Sequence, residues 1–211
     1  QLDKEGVKFS TKSIRLENCV RAIVDQQEKN GFTLNLRGAM MLLSELQEEE
    51  EGLVATATEM FPPKELQLKT KIKYIPFNIA SRKQIAERLM AKGWKPTKHT
   101  DKGNVIVNEE TLSHIKMPEA QMFSRFFLLQ KRTGMLKSWI KECHDDDKVR
   151  GKVMTLKTIT GRMAHNSPNM AQVPASYSPY GKEFRSLWTI SDPDNYNLIG
   201  SENINNVTVY D

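Results

Sequence analysis

TLKTITGRMAHNSPNMAQVP, residues 155–174, is the stretch on which the reading of this chain turns. It gathers Thr158, Thr160, Gly161, Arg162, Asn166, Ser167, Asn169 and Gln172 within fifteen positions. Short hydroxyl and amide side chains beside one forked guanidinium can hydrogen-bond sugar, phosphate oxygens and the minor-groove acceptors N3 and O2. A glycine among them lets the backbone approach a partner closely. The minor-groove acceptors recur at similar places in every base pair, so such a surface checks the shape of a duplex without reading its sequence. An ordinary polar loop is the competing reading, and the surrounding sequence has to decide between them.

The chain has 211 residues, enough for one large domain or two small ones. Its hydrophobic fraction of 38% and mean hydropathy of -0.55 describe a soluble protein near the polar end of normal. No run reaches the roughly 18 to 20 apolar residues of a membrane span, and the N-terminus lacks the pattern of a signal peptide. No membrane partner and an intracellular location are therefore expected. Cys19 and Cys143 are isolated and far apart, so no metal knuckle or disulfide framework is available, and both read as buried structural thiols. The first residue is Gln, and both ends read as cut.

The formal charge of +5 is unevenly spread. Residues 64–102 hold eleven Lys or Arg against three acids, Glu65, Glu87 and Asp101. Such a local field suits a polyanion, because each cation on a phosphate releases condensed counterions. A solvated basic face is the alternative.

Coarse periodicity places several elements. IRLENCVRAIVDQQEK, residues 14–29, puts Ile14, Cys19, Ala22 and Ile23 near one side of a helix, with Asn30-Gly31 as its stop. A second helix is expected over 36–51, ending in an acidic, solvent-facing tail that opposes the helix dipole and either frays or continues. After Pro62-Pro63, KELQLKTKIKYIPF reads as a strand or extended arm. Ser81 is a good N-cap for RKQIAERLMAK, where Ile85 and Leu89 stand one turn apart and Gly93 supplies the stop. Asn108 or Thr111 caps a short helix holding Leu112. Residues 118–140 carry an apolar stripe of Met122, Phe126 and Leu129, interrupted at Thr133-Gly134, and HDDDKVRGKVMTLKT reads as a turn and a strand.

Several chemical motifs fail. Cys143-His144-Asp145-Asp146-Asp147 lacks the glycine and terminal Glu of a calcium loop, and consecutive residues do not converge on one ion without a sharp turn. There is no Walker A loop, GxGxxG, GxSxG or HExxH. No metal site is expected in the chain.

T-x-x-G-R followed by P-N-x-A-Q-x-P and then SPYGKEFRSLW resembles the segment leading into the active site of family A DNA polymerases, the DNA polymerase I group. Ala171 before Gln172 resembles the replicative enzymes of lytic phages more than the bacterial repair enzymes. Upstream, FNIASRKQIAERLMAKGWKPTKHTDKG is similar to the start of that family's thumb, LENCVRAIVDQQEKNGFTLN resembles the helix after its exonuclease domain, and LLQKRTGMLKSWI resembles its long thumb helix. Four motifs stand in family order between residue 14 and about residue 201.

The resemblance implies an α+β fold: a mostly helical thumb with a small antiparallel sheet segment from the start of the palm. It implies an exonuclease-linker end at 1–13, the thumb at 14–150, a primer-grip segment and first palm strand at 151–202, and an unrelated tail at 203–211. Asn78, Ser81 and Lys83 then fall where thumb residues meet the DNA backbone, Lys98 and Lys102 in a phosphate-tracking loop, and Lys131 or Arg132 on the long helix. Thr158, Arg162, Asn169 and Gln172 match residues holding the primer terminus, and Arg185 an Arg near the first palm strand. The implied activity is nucleotidyl transfer in DNA replication with Mg²⁺ for the intact family and double-stranded primer-template DNA as partner, in the cytoplasm of a phage-infected bacterium. Glu202 falls where the first catalytic Asp is expected, but nothing after it fits, and the later nucleotide-binding helix and second carboxylate are missing. The expectation is a fragment that grips duplex DNA, inactive alone and with no metal of its own. The alternative is a non-catalytic DNA-binding subunit of a split polymerase whose second chain supplies the active site.

Overall fold

The computed structural model describes residues 10–67 and 72–189. Lys69, Lys71, the run 196–200 and Glu202 lie outside the described residues. In chain order the elements are α1 (Thr11–Asn30), β1 (Phe32–Leu34), α2 (Leu36–Met60), β2 (Lys64–Gln67), β3 (Ile72–Ile75), α3 (Arg82–Ala91), α4 (Glu109–Ser113), α5 (Pro118–Lys141), β4 (Lys148–Val149), β5 (Lys152–Met154), β6 (Ala164–Asn166), a 3-10 turn (Met170–Gln172), α6 (Gly181–Ser186) and β7 (Trp188–Thr189). The fold is α+β, mostly helical with small antiparallel sheets, as expected. Two compact units separate: residues 10–40 with 138–189, and residues Met41–Lys137.

In the first unit, Ser10 caps α1 by accepting from the Ser13 N–H at 3.1 Å. Gly31 ends the helix at φ 66°, its N–H donating to Gln27 O at 3.0 Å. A side chain there would meet Arg150 Cγ at 2.9 Å, so both conformation and space require glycine. The expected apolar side of α1 is corrected: only Val24 is buried, while Ile14, Ile23 and Cys19 are exposed. Cys143 is partly exposed, and burial, then Asp147 and Asp146, push its thiol above the ordinary value.

The sheet of this unit runs β4-β1-β7, all antiparallel, with Phe32 opposite Val149 and Leu34 opposite Trp188. Leu34, Trp139, Val149, Phe184 and Leu187 are buried beside it. Trp139 meets Phe184 and Trp188 edge-on, with centroids 5.5 and 4.9 Å apart, a favoured aromatic arrangement. Asn35 caps α2, its Oδ1 accepting from the Gly38 N–H at 2.9 Å.

The second unit is organised around Phe61, Phe77 and Phe123, whose centroids lie 4.7 to 5.8 Å apart. Ile85 and Leu89 of α3, Leu112 of α4 and Phe126 of α5 complete the same buried cluster. Ser81 caps α3 as expected, accepting from Gln84 N–H at 3.4 Å. At α4 both candidates act: Asn108 Oδ1 accepts from Thr111 N–H at 2.8 Å, and Thr111 Oγ1 from Asn108 N–H at 2.9 Å.

Of its two expected courses α2 takes continuation, and α5 runs through a break that the sequence pattern suggests. α2 continues through Gly52 to Met60, and its acids are not simply a solvated tail. Glu49 takes both Nε and Nη2 of Arg125, at 2.6 and 2.8 Å, and Glu50 accepts from Thr133 Oγ1 at 3.3 Å. α5 is unbroken across Thr133-Gly134, where Thr133 is buried and its single hydroxyl proton is shared between Glu50 Oε2 and Gln130 O. β2 and β3 pair as a ribbon from Lys64↔Ile75 to Gln67↔Ile72.

Candidate nucleic-acid interface

The hairpin β5–β6 builds the opening stretch of sequence into a site. Its register runs Lys152↔Asn166, Val153↔His165 and Met154↔Ala164, so residues 155–163 form the connecting loop. Within that loop Thr158 is the lock. Its Oγ1 accepts from the Arg162 N–H at 2.8 Å and donates to Arg162 O at 3.1 Å, while Gly161 N–H reaches Thr158 O at 3.0 Å. Gly161 takes φ 74°, a conformation that costs glycine little. Thr158 thus ties the backbone of the turn together, while the Arg162 guanidinium is exposed and has no partner among the described residues.

Past β6, Asn169 folds its Oδ1 onto the Ala171 N–H at 3.1 Å and starts the 3-10 turn. Gln172, at the end of that turn, is exposed. Arg185 is half-buried, and its Nε donates to Pro174 O at 2.9 Å, fixing the segment that follows Gln172. Of the four residues expected to hold a primer terminus, Arg162 and Gln172 present free side chains, while Thr158 and Asn169 shape the backbone that carries them.

In the second unit the expected residues occupy three places: the start of α3, the loop before α4, and α5. Ser81 is the cap of α3 and Asn78 shapes the turn before it: Asn78 Oδ1 accepts from Ala80 N–H at 2.9 Å, and Gln84 Oε1 accepts from Asn78 N–H at 2.8 Å. Lys83 is exposed on the first turn of α3. Lys98 and Lys102 lie on a loop closed by the His99↔Val105 bridge, and Lys98 pairs with Glu110 at 3.3 Å. On α5, Lys131 is exposed whereas Arg132 is buried, with burial pulling its guanidinium below the ordinary value against the raising charge of Glu109. Arg132 therefore does not face solvent as a surface cation would.

The basic field is also weaker than the sequence count. Lys64 pairs with Glu87 at 3.3 Å, Lys92 with Glu119, and Arg88 lies over the Phe61 and Phe77 rings while donating to Pro62 O. Lys73, Lys83, Lys95 and Lys102 remain exposed without a partner among the described residues.

No three His, Cys, Asp or Glu side chains come together among the described residues in a way that could hold a metal ion. In the 143–147 turn, Asp146 is committed to Arg150. These residues do not fit Mg²⁺, and no step through it is assigned to them. No helix among the described residues is long and apolar enough to cross a membrane.

The fold is similar to part of a solved polymerase domain. The POL domain of Pol1 from M. smegmatis, solved in complex with DNA primer-template and dNTP, has TM-score 0.66 to this chain at 16% identity, over 82% of this chain and 29% of that one. Residues 47–201 match the family model of DNA polymerase family A. The chain belongs to that family, and it is of the phage type. Over 129 residues it is 36% identical to the DNA-directed DNA polymerase of Escherichia phage T7 and likewise to that of Enterobacteria phage T3. Those matches take in 56% of this chain and 18% of each phage protein.

Sequence reasoning missed one feature of the site. Arg21 and Glu28 of α1 reach β5 at sequence separations of 132 and 125, with no local pattern to announce the contact.

Proposed function

We propose that the chain binds the primer-template duplex for a family A DNA polymerase, with residues 14–150 as thumb and 151–202 as primer grip and first palm strand. The observation that carries this reading is the exposed Arg162 guanidinium on a turn whose backbone is held by Thr158. A cation held on a fixed backbone loses little freedom on binding, so its charge-assisted bonds to phosphate or to minor-groove acceptors retain most of their strength. Gln172 adds a sequence-blind amide contact, and Lys83, Lys95, Lys102 and Lys131 supply backbone charge. The family relatives are named as DNA-directed DNA polymerases, and the solved neighbour was captured on primer-template, which supports the same partner here.

Template-directed dNTP addition by the whole polymerase needs carboxylates that place Mg²⁺. In this reading the chain by itself binds without extending a primer. In the split-subunit reading the same surface serves a second chain that supplies the active site; primer extension appearing only on mixing with such a chain would favour it.

Fluorescence anisotropy on a labelled primer-template tests the binding. Arg162→Ala is expected to weaken it about fivefold or more, the equivalent of about 1 kcal/mol for a lost charge-assisted contact. Lys102→Ala is expected to cost less affinity but to reduce the slope of log affinity against log salt by about 0.9. Unchanged affinity and slope in both Arg162→Ala and Gln172→Ala would sink the mapping.

A further inference from the structure

β5 and β6 are three-residue strands in a two-stranded ribbon, an arrangement that needs outside support to hold one geometry. The support comes from α1. In a strand, the N–H and C=O of one residue point to the same side, and at Val153 both point away from β6. Glu28 Oε1 accepts the Val153 N–H at 2.7 Å, and Arg21 Nη1 donates to Val153 O at 2.6 Å. Arg21 and Glu28 are seven residues apart, two turns along one helix face, and they are joined to each other at 3.1 Å between Nη2 and Oε2. Asp25, between them on that face, takes Nε of Arg21 at 2.8 Å and fixes the fork. Two side chains thus stand in for the missing neighbouring strand, and Val153 itself is buried.

We propose that Arg21 and Glu28 are positioning residues for primer-template binding: by clamping the Val153 peptide they set the β5–β6 hairpin whose loop presents Arg162. This rests on the binding function proposed above. The clamp acts through the loop, touching no DNA, so its removal should matter only while Arg162 is there to be aimed.

The test measures anisotropy on primer-template for Glu28→Ala and Glu28→Gln, each in the wild-type and Arg162→Ala backgrounds, with melting curves to verify folding. Glu28→Ala is expected to weaken binding about threefold to fivefold in the wild-type background and hardly at all beside Arg162→Ala, the non-additivity of sites that act as one. Glu28→Gln keeps an oxygen acceptor for the Val153 N–H and should recover most of the affinity. A folded Glu28→Ala chain that binds like wild type, or that loses the same factor in both backgrounds, overturns the inference. If Glu28→Ala does not fold, Arg21→Lys takes its place, with the same two backgrounds and outcomes. Arg162→Ala without effect in the wild-type background would instead sink the binding function, which separates the two failures.

Discussion

Residues Met41–Lys137 and the β5–β6 loop of the other unit present polar groups to solvent by opposite means. In the first region, one apolar cluster around Phe61, Phe77 and Phe123 holds the helices, and lysines stand on the rim. Lys83 or Lys102 can be changed without disturbing what folds the unit, because neither contributes to the core. In the second, Thr158 spends its hydroxyl on the backbone of Arg162, and the Arg21 guanidinium and Glu28 carboxylate are spent on the Val153 peptide groups. There the hydrogen bonds that make the shape also aim the guanidinium. On the proposed binding role, function is separable from stability where a packed core carries the rim, and inseparable where polar contacts do both.

The largest expected effect breaks the core side of this contrast. Phe123 is fully buried and touches both other rings of the trio. Phe123→Ala should destabilise by about 3–5 kcal/mol through lost transfer energy and an unfilled cavity, read as a drop in thermal melting. A loss under about 1 kcal/mol would show that the cluster does not hold the unit.

Two glycines sharpen the contrast at the next level. A Cβ on Gly181 would sit 1.8 Å from Ala175 O and 2.7 Å from its carbonyl carbon, backbone that cannot swing aside. Gly181→Ala should cost at least the 1–3 kcal/mol or so of an overpacked site and displace the turn that leads from Pro174 into α6. Gly134, in the exposed side of α5, has nothing within 4 Å of its Cβ position. Gly134→Ala should raise stability by roughly 0.5–1 kcal/mol, the helix propensity difference. Matching signs in denaturant melts of the two variants would contradict the packing described for one of them.

The same division explains what could be read in the sequence. Signals confined to a few residues were legible: Ser81 before Ile85 and Leu89, the Asn30-Gly31 stop, and the Asn108/Thr111 cap, because each depends on neighbours within one turn. The order of the T-x-x-G-R and P-N-x-A-Q-x-P motifs was legible as a family resemblance. What depended on distant partners was not. α2 runs on past its acidic stretch because Arg125 and Thr133 meet Glu49 and Glu50 from 76 and 83 residues away. The apolar side of α1 was misjudged because the helix turns Arg21 and Glu28, rather than Ile23, to its neighbouring strand. Charge counting overstated the basic field, since the partners of Lys92 and Lys98 are Glu119 and Glu110, outside the window counted.

The smallest effect tests the polar side at an exposed pair. Arg150 donates Nε to Lys29 O at the end of α1 at 3.1 Å, and its Nη1 and Nη2 grip Asp146, the Nη1 contact at 3.0 Å. The hydrogen bond from Arg150 leads in holding the Asp146 carboxyl at about 2, below its ordinary 3.8. A carboxyl depressed in the folded chain contributes stability that is fully present above its unfolded value and is lost as pH falls through the folded one. The melting difference between wild type and Asp146→Asn should therefore be constant above pH 3.8 and shrink toward about 2. Because Asp146 is solvent-exposed and Arg150 only half-buried, the difference should be small and should fade with added salt. A gap that stayed flat across that window would mean the pair does not anchor the end of α1, and that the polar contacts of this unit are weaker determinants of its shape than the loop geometry requires.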